Sequence, residues 1–201
     1  MNFLAHAYLS FDREGILLGN FVADFIKGKE IQTYKNEVLH GILLHREIDS
    51  FTDSHPLVKA GQSYLRRKFR HYSPVITDIF FDYFLAKNWD KYSPIPLPRF
   101  AEMTYVSIEK HLDMLPESFG KMFFWMKKQN WLVSYGTLEG IQQSLSGLSR
   151  RTRFESKMNE APAVLVEKEK EFELIFFAFF EDLETFARAK LLEIEHHHGL
   201  H

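Results

Sequence analysis

The sequence predicts an all-α fold, a single-domain helical bundle. Three observations predict it. Apolar residues recur at the spacing of a helix face along most of the chain, hardly any segment alternates apolar and polar residues as a half-buried strand would, and the breakers fall between the periodic segments. The 201 residues suffice for one large domain, and 45% apolar with 26% charged residues excludes disordered, collagen-like and coiled-coil chains. Twenty phenylalanines point to a core of large flat rings.

The elements follow in order. Residues 35–50 carry Val38, Ile42, His45 and Asp49 along one face, and Ser54-His55-Pro56 ends that helix. Pro74 precedes residues 76–88, where Ile76, Ile79, Phe80, Phe81, Phe84 and Leu85 leave almost no polar face, which predicts a buried central helix. The run from Ser93 to Pro98 has a proline at every second position and is expected to be an extended connector. Helical stripes then recur as Tyr105/Ile108/Leu112/Leu115, Phe119/Met122/Phe123/Met126 and Leu138/Ile141/Leu145/Leu148, the last opened by Thr137 as a cap. A long final helix is expected over 163–192, with Leu165, Phe172, Phe176, Phe179, Leu183 and Phe186 inward. No repeat or linker divides the chain, so residues 1–195 are expected to form one domain. The ending HHHGLH, residues 196–201, resembles a tag remnant and is set apart as a tail.

Charge and composition exclude several functions. A net charge of −2 speaks against a general nucleic-acid binder, and the absence of cysteine excludes a thiol nucleophile, a disulfide framework, a cysteine-ligated zinc site and an iron–sulfur cluster. The longest apolar run, Leu174 to Phe180, falls far short of the ~20 residues that span a bilayer. The opening MNFLAHAYLS has neither the basic leader nor the cleavage site of a signal peptide. A cytoplasmic protein without a membrane span is expected. There is also no glycine-rich phosphate loop, nucleophile elbow or dinucleotide fingerprint.

Chemistry shows where polar residues interrupt apolar faces. His45 and Asp49 lie four residues apart on one inward stripe, which sets their Cβ atoms ~6 Å apart, and Asp53 follows one turn later. Asp78 and Asp82 repeat that spacing in apolar surroundings; Asn2 and His6 share a face, as do Asn20 and Asp24. Each could be explained structurally: His6 by a backbone carbonyl, Asp24 by Lys27, His45 and Asp49 by each other or by Arg46. Together they favour a metal centre, because a lone buried carboxylate costs several kcal/mol while several converging on a cation do not. Nitrogen and oxygen donors without sulfur suit Mn, Fe, Zn or Mg, and an ion so held lowers the pKa of bound water towards ~7. Arg66, Arg67, Lys68 and Arg70 in YLRRKFRHY form a basic group suited to an acidic partner, as do Arg150, Arg151 and Arg153.

Four segments in order, MNFLAH, GNFVADFIKG at 19–28, GILLHREIDSFTDSHP at 41–56 and DIFFDYFLAKNW at 78–89, resemble the acyl carrier protein phosphodiesterase family over about the first 90 residues. The resemblance implies a fold like that of the histidine–aspartate phosphohydrolases. It also implies a divalent cation, preferably Mn²⁺ with Mg²⁺, Fe²⁺ or Zn²⁺ as alternatives, and hydrolysis of the phosphodiester that joins phosphopantetheine to a serine of acyl carrier protein. The adjacent His-Asp pair that names the wider superfamily is missing from this chain, so ligands are carried over position by position. His6, Asp24, His45, Asp49, Asp78 and Asp82 are then the candidate metal ligands. Asp24, Asp49 and Asp53 are the candidate catalytic carboxylates, with Asp53 or Asp49 as proton acceptor. Asn20, Lys27 and Arg46 are candidates for gripping phosphate oxygens. The acidic carrier protein gives Arg66, Arg67, Lys68 and Arg70 a partner. Two other readings fit the same residues: a metal-dependent hydrolase of a nucleotide or small phosphoester, and a non-catalytic helical module.

Overall fold

A computed structural model describes residues 1–198, and among the described residues there are eleven α-helices and no strand. They are α1 Phe3–Tyr8, α2 Glu14–Val22, α3 Asn36–Ser54, α4 Pro56–Phe69, α5 Ser73–Lys87, α6 Leu97–Glu109, α7 Glu117–Lys128, α8 Trp131–Ser134, α9 Leu138–Arg151, α10 Ala161–Glu167 and α11 Glu169–His198. The all-α expectation holds.

Local chemistry sets the boundaries. His55, forced out of helical geometry by Pro56, sits at φ −66°, ψ 132°, and its Nδ1 accepts the Leu57 amide, so α3 ends and α4 begins at one residue. Thr137 Oγ1 accepts the Gly140 amide at 3.0 Å and caps α9 as its sequence indicates.

Helix α5 is the hub. Phe80, Phe81 and Phe84 are fully buried against α11, where Phe172, Phe176 and Phe179 meet them; the Phe80 and Phe172 rings cross edge to face at 5.2 Å. Each such pair adds roughly 0.5–1.5 kcal/mol beyond the area it buries.

Two expectations are corrected. The stripe ending in Leu112 and Leu115 is not one helix: α6 stops at Glu109, and Leu112–Met114 forms a separate 3₁₀ turn. The final helix is two, broken at Lys168 (φ −115°, ψ 24°): α10 packs on α9 and α4 and buries Leu165, whereas α11 lies along α3, α4 and α5 and buries Phe172 and Phe176. Helix α11 also runs to His198, into the segment set apart as a tail; residues 199–201 lie outside the described residues.

A glycine crossing positions the site. Gly19 of α2 lies against Gly41 of α3, and a Cβ placed on Gly19 would come within 2.6 Å of the Gly41 Cα and the Ile42 nitrogen. Only glycine permits that approach. It brings Asn20 and the 3₁₀ turn Ala23–Phe25, with Asp24, alongside the turn of α3 that carries His45.

Candidate metal centre

Two helices, α1 and α3, meet at Asp49, and the 3₁₀ turn with Asp24 joins through His45. His6 Nε2, from α1, lies 3.2 Å from Asp49 Oδ1, and His45 Nε2 lies 3.2 Å from Asp49 Oδ2. The two imidazoles stack at 4.1 Å and 18°. Asp24 Oδ1 reaches the same His45 nitrogen at 3.3 Å. Ligand atoms of His6, His45 and Asp49 all lie within 4.8 Å of one another. Two donors each about 2.1 Å from a shared ion stand ~3.0–3.5 Å apart at tetrahedral or octahedral angles, so the spacing and the N₂O donor set fit a divalent ion. Exposure rises from 2% at His6 and 8% at His45 to 38% at Asp49 and 71% at Asp24, so the cluster is rooted in the core and opens to solvent at Asp24.

The other expected residues have distinct places. Asp78 Oδ1 lies 3.5 Å from the Met1 amino group, which is itself 3.0 Å from Asp49 Oδ1; Asp78 therefore borders the cluster one shell out. Asp82 is not brought to it. Fully buried, Asp82 accepts the Leu4 amide at 2.8 Å and the Ala5 amide at 3.1 Å, and so holds the start of α1. Asn20, expected to grip phosphate, is buried with its amide engaged by His6 and Ser10. Lys27, Arg46 and Asp53 are exposed; Arg46 follows His45 along α3, and Asp53 is near enough to Asp78 for its charge to be felt there. Arg66, Arg67, Lys68 and Arg70 are exposed at the end of α4, Lys68 paired with Glu160 at 2.8 Å. Sequence reasoning missed Ser10, although its i,i+4 spacing from His6 was the available signal.

A profile described as acyl carrier protein phosphodiesterase matches residues 1–183. The chain belongs to the acyl carrier protein phosphodiesterase family. Relatives of that printed name include proteins of Photorhabdus laumondii, 36% identical over 90% of this chain and 91% of theirs, and of Yersinia enterocolitica, 33% identical over 94% and 99%. The Pectobacterium atrosepticum protein is 33% identical over 96% of this chain and all of its own. No solved structure matches, so the expected likeness to the histidine–aspartate phosphohydrolase fold stands on sequence resemblance alone. Among the described residues of this family member, no helix is long and apolar enough to cross a membrane.

Electrostatics divide the two imidazoles. Burial and the neighbouring His45 charge pull His6 down to about 4, leaving it neutral as a ligand must be. Burial opposes the charged form of His45 too, but hydrogen bonds to Asp24 and Asp49 outweigh it and lift His45 to about 9. Burial alone would raise Asp49; the Met1 ammonium and the hydrogen bond from His45 instead hold it well below the usual carboxylate range. The His45 bond also lowers Asp24, while burial pushes Asp78 up to about 6.

One measurement follows from the sign of the His45 shift. Without an ion, His45 is an imidazolium at pH 7.5, and it must shed a proton to ligate. Ion uptake should therefore release about one proton at that pH, and affinity should climb as pH rises towards 9. Titration calorimetry in two buffers of different ionisation enthalpy reads the proton directly; equal heats would contradict the assignment of His45.

Proposed function

We propose that the chain hydrolyses the phosphodiester between phosphopantetheine and a serine of acyl carrier protein, giving apo carrier protein and free phosphopantetheine, in the cytoplasm and with a divalent ion, preferably manganese. The observation that carries this reading is the His6–His45–Asp49 cluster, opening to solvent beside Asp24 in a chain of this family.

His6, His45 and Asp49 would hold the ion, and Asp24, bonded to His45 on the exposed side, would lie beside it. When bound, a divalent ion supplies Lewis acidity, offsetting charge on the phosphoryl group and making water acidic enough to ionise near neutral pH. Asp53, exposed one turn along α3 from Asp49, accepts the proton of the attacking water. Lys27 and Arg46 donate to the non-bridging phosphate oxygens. Water oxygen bonds to phosphorus as the bond from phosphorus to the serine oxygen breaks, and the proton that Asp53 accepted passes to that oxygen, directly or through water, to restore the hydroxyl. Asp78 keeps the Met1 amino group against Asp49 from behind.

The direct test incubates the protein with holo acyl carrier protein and Mn²⁺ and weighs the products. Apo carrier protein is expected, and carrier protein of unchanged mass would defeat the proposal.

The scissile bond sits at the carrier protein's own serine, so the partner's surface must approach the mouth closely. Arg66, Arg67 and Arg70 form no ion pair among the described residues and face solvent, and with Lys68 they offer that acidic partner a landing surface. Reversing Arg66, Arg67 and Arg70 to Glu should raise KM for holo carrier protein about tenfold or more, roughly the ~1.4 kcal/mol that corresponds to one decade. Hydrolysis of a small chromogenic phosphodiester should stay unchanged. Equal loss on both substrates would make the patch structural, and no loss on either would leave it outside the interface.

A further inference from the structure

The side chain of Asn20 does something other than touch substrate. It is buried behind His6, in a closed set of hydrogen bonds: Ser10 Oγ donates to the His6 carbonyl at 2.7 Å, Asn20 Nδ2 donates to Ser10 Oγ at 2.9 Å and to that carbonyl at 3.3 Å, and Asn20 Oδ1 faces His6 Nδ1 at 3.3 Å.

One arrangement satisfies every contact in the set. The His6 carbonyl can only accept, and the Ser10 hydroxyl has already given its single proton to it. Both can then only accept from Asn20, and the flipped amide would set Oδ1 against the His6 carbonyl oxygen, so Nδ2 belongs on their side and Oδ1 turns to the imidazole. An amide oxygen only accepts, so His6 Nδ1 must carry the proton. The neutral ring is left with its lone pair on Nε2, the nitrogen 3.2 Å from Asp49 Oδ1. A lone pair facing a carboxylate oxygen is repulsive until a cation lies between them. The ring is thus aimed and tautomerised for a ligand before any ion arrives. His45 has no such support, since its Nδ1 is buried with no hydrogen-bond partner among the described residues.

We propose that Asn20, anchored by Ser10, is a positioning residue: it locks His6 in the Nδ1–H tautomer and points Nε2 into the site shared with His45 and Asp49. The inference rests on the metal reading above for its purpose, but its core statement concerns the protonation site of one ring and can be read without metal.

The test uses the whole chain, ¹⁵N-labelled at histidine, in three forms: wild type, Asn20→Leu and Asn20→Asp. Side-chain ¹⁵N shifts report which His6 nitrogen bears hydrogen, and calorimetric titration with Mn²⁺ or Zn²⁺ reports the dissociation constant. Metal-free wild type should show Nδ1–H. Asn20→Leu, which keeps volume and removes the acceptor, should lose that preference and bind the ion about 10–100-fold more weakly, the usual cost of losing such a support. Asn20→Asp keeps an acceptor facing Nδ1, so it should restore the tautomer even if the lost Nδ2 bonds lower its thermal stability. A wild-type proton on Nε2, or Asn20→Leu with unchanged tautomer and affinity, overturns the proposal. Wild type that shows Nδ1–H yet takes up no divalent ion would support the lock and instead overturn the metal reading.

Discussion

Replacing Asp49 by alanine should abolish divalent-ion uptake and lower hydrolysis of holo carrier protein by about a thousand-fold or more, with helix content nearly unchanged. The carboxylate is the one group that meets both His6 and His45, one oxygen to each. Its loss removes a ligand and the charge that holds the His45 imidazolium, and a thousand-fold is about 4 kcal/mol, the scale on which Lewis-acid stabilisation acts. Asp49→Asn sharpens the result. It preserves shape but offers a single neutral oxygen, so one imidazole loses its partner, and the variant should fall nearly as far. Elemental analysis gives stoichiometry and mass spectrometry of the carrier protein gives turnover. Near-normal turnover in either variant would remove Asp49 from the centre.

The same residue shows why part of the site was legible. His45 and Asp49 stand one turn apart on an otherwise apolar stripe, and folding leaves such a pair few outcomes besides each other or an ion. His6 and Asp24 were visible for the same reason, as polar groups on short apolar faces. Asp82 gave the same signal and means something different. Sequence spacing registers that a buried carboxylate needs a partner, but not which one, and its partners are backbone amides 77 and 78 residues away. Asn20 failed likewise: an amide suits a phosphate as well as an imidazole, and only the path of α2 beside α1 decides. The fold was legible to the extent that periodicity and breakers carry it. Helix α5 is buried almost all round as its residues demand, whereas the break at Lys168 has no glycine or proline to announce it.

Asp82 should therefore control stability first and metal binding second. Asp82→Ala leaves the Leu4 and Ala5 amides buried without acceptors and opens a cavity, so a loss of about 3 kcal/mol or more is expected. Because α1 carries His6, the same variant should also bind Mn²⁺ more weakly although Asp82 touches no ligand. Asp82→Asn retains one acceptor oxygen where two amides need one each, and should lose about 1–3 kcal/mol. The pH dependence separates this role from a mere packing defect. Burial pushes the Asp82 carboxyl up to about 7 although both amides favour its charged form. The folded chain thus keeps this proton up to about pH 7, while the unfolded chain releases it near 4. The contribution of Asp82 is complete below pH ~4 and is lost as pH rises to about 7. Asp78, raised to about 6, titrates in the same window, so the informative quantity is the difference between wild type and Asp82→Asn. Urea unfolding of the metal-free proteins at pH 4, 5.5 and 7 should show the wild-type curve falling more steeply than the variant's. Parallel curves would mean that Asp82 is ionised throughout and clamps α1 as a carboxylate, with the Asp82→Ala loss then expected to be equally large at every pH.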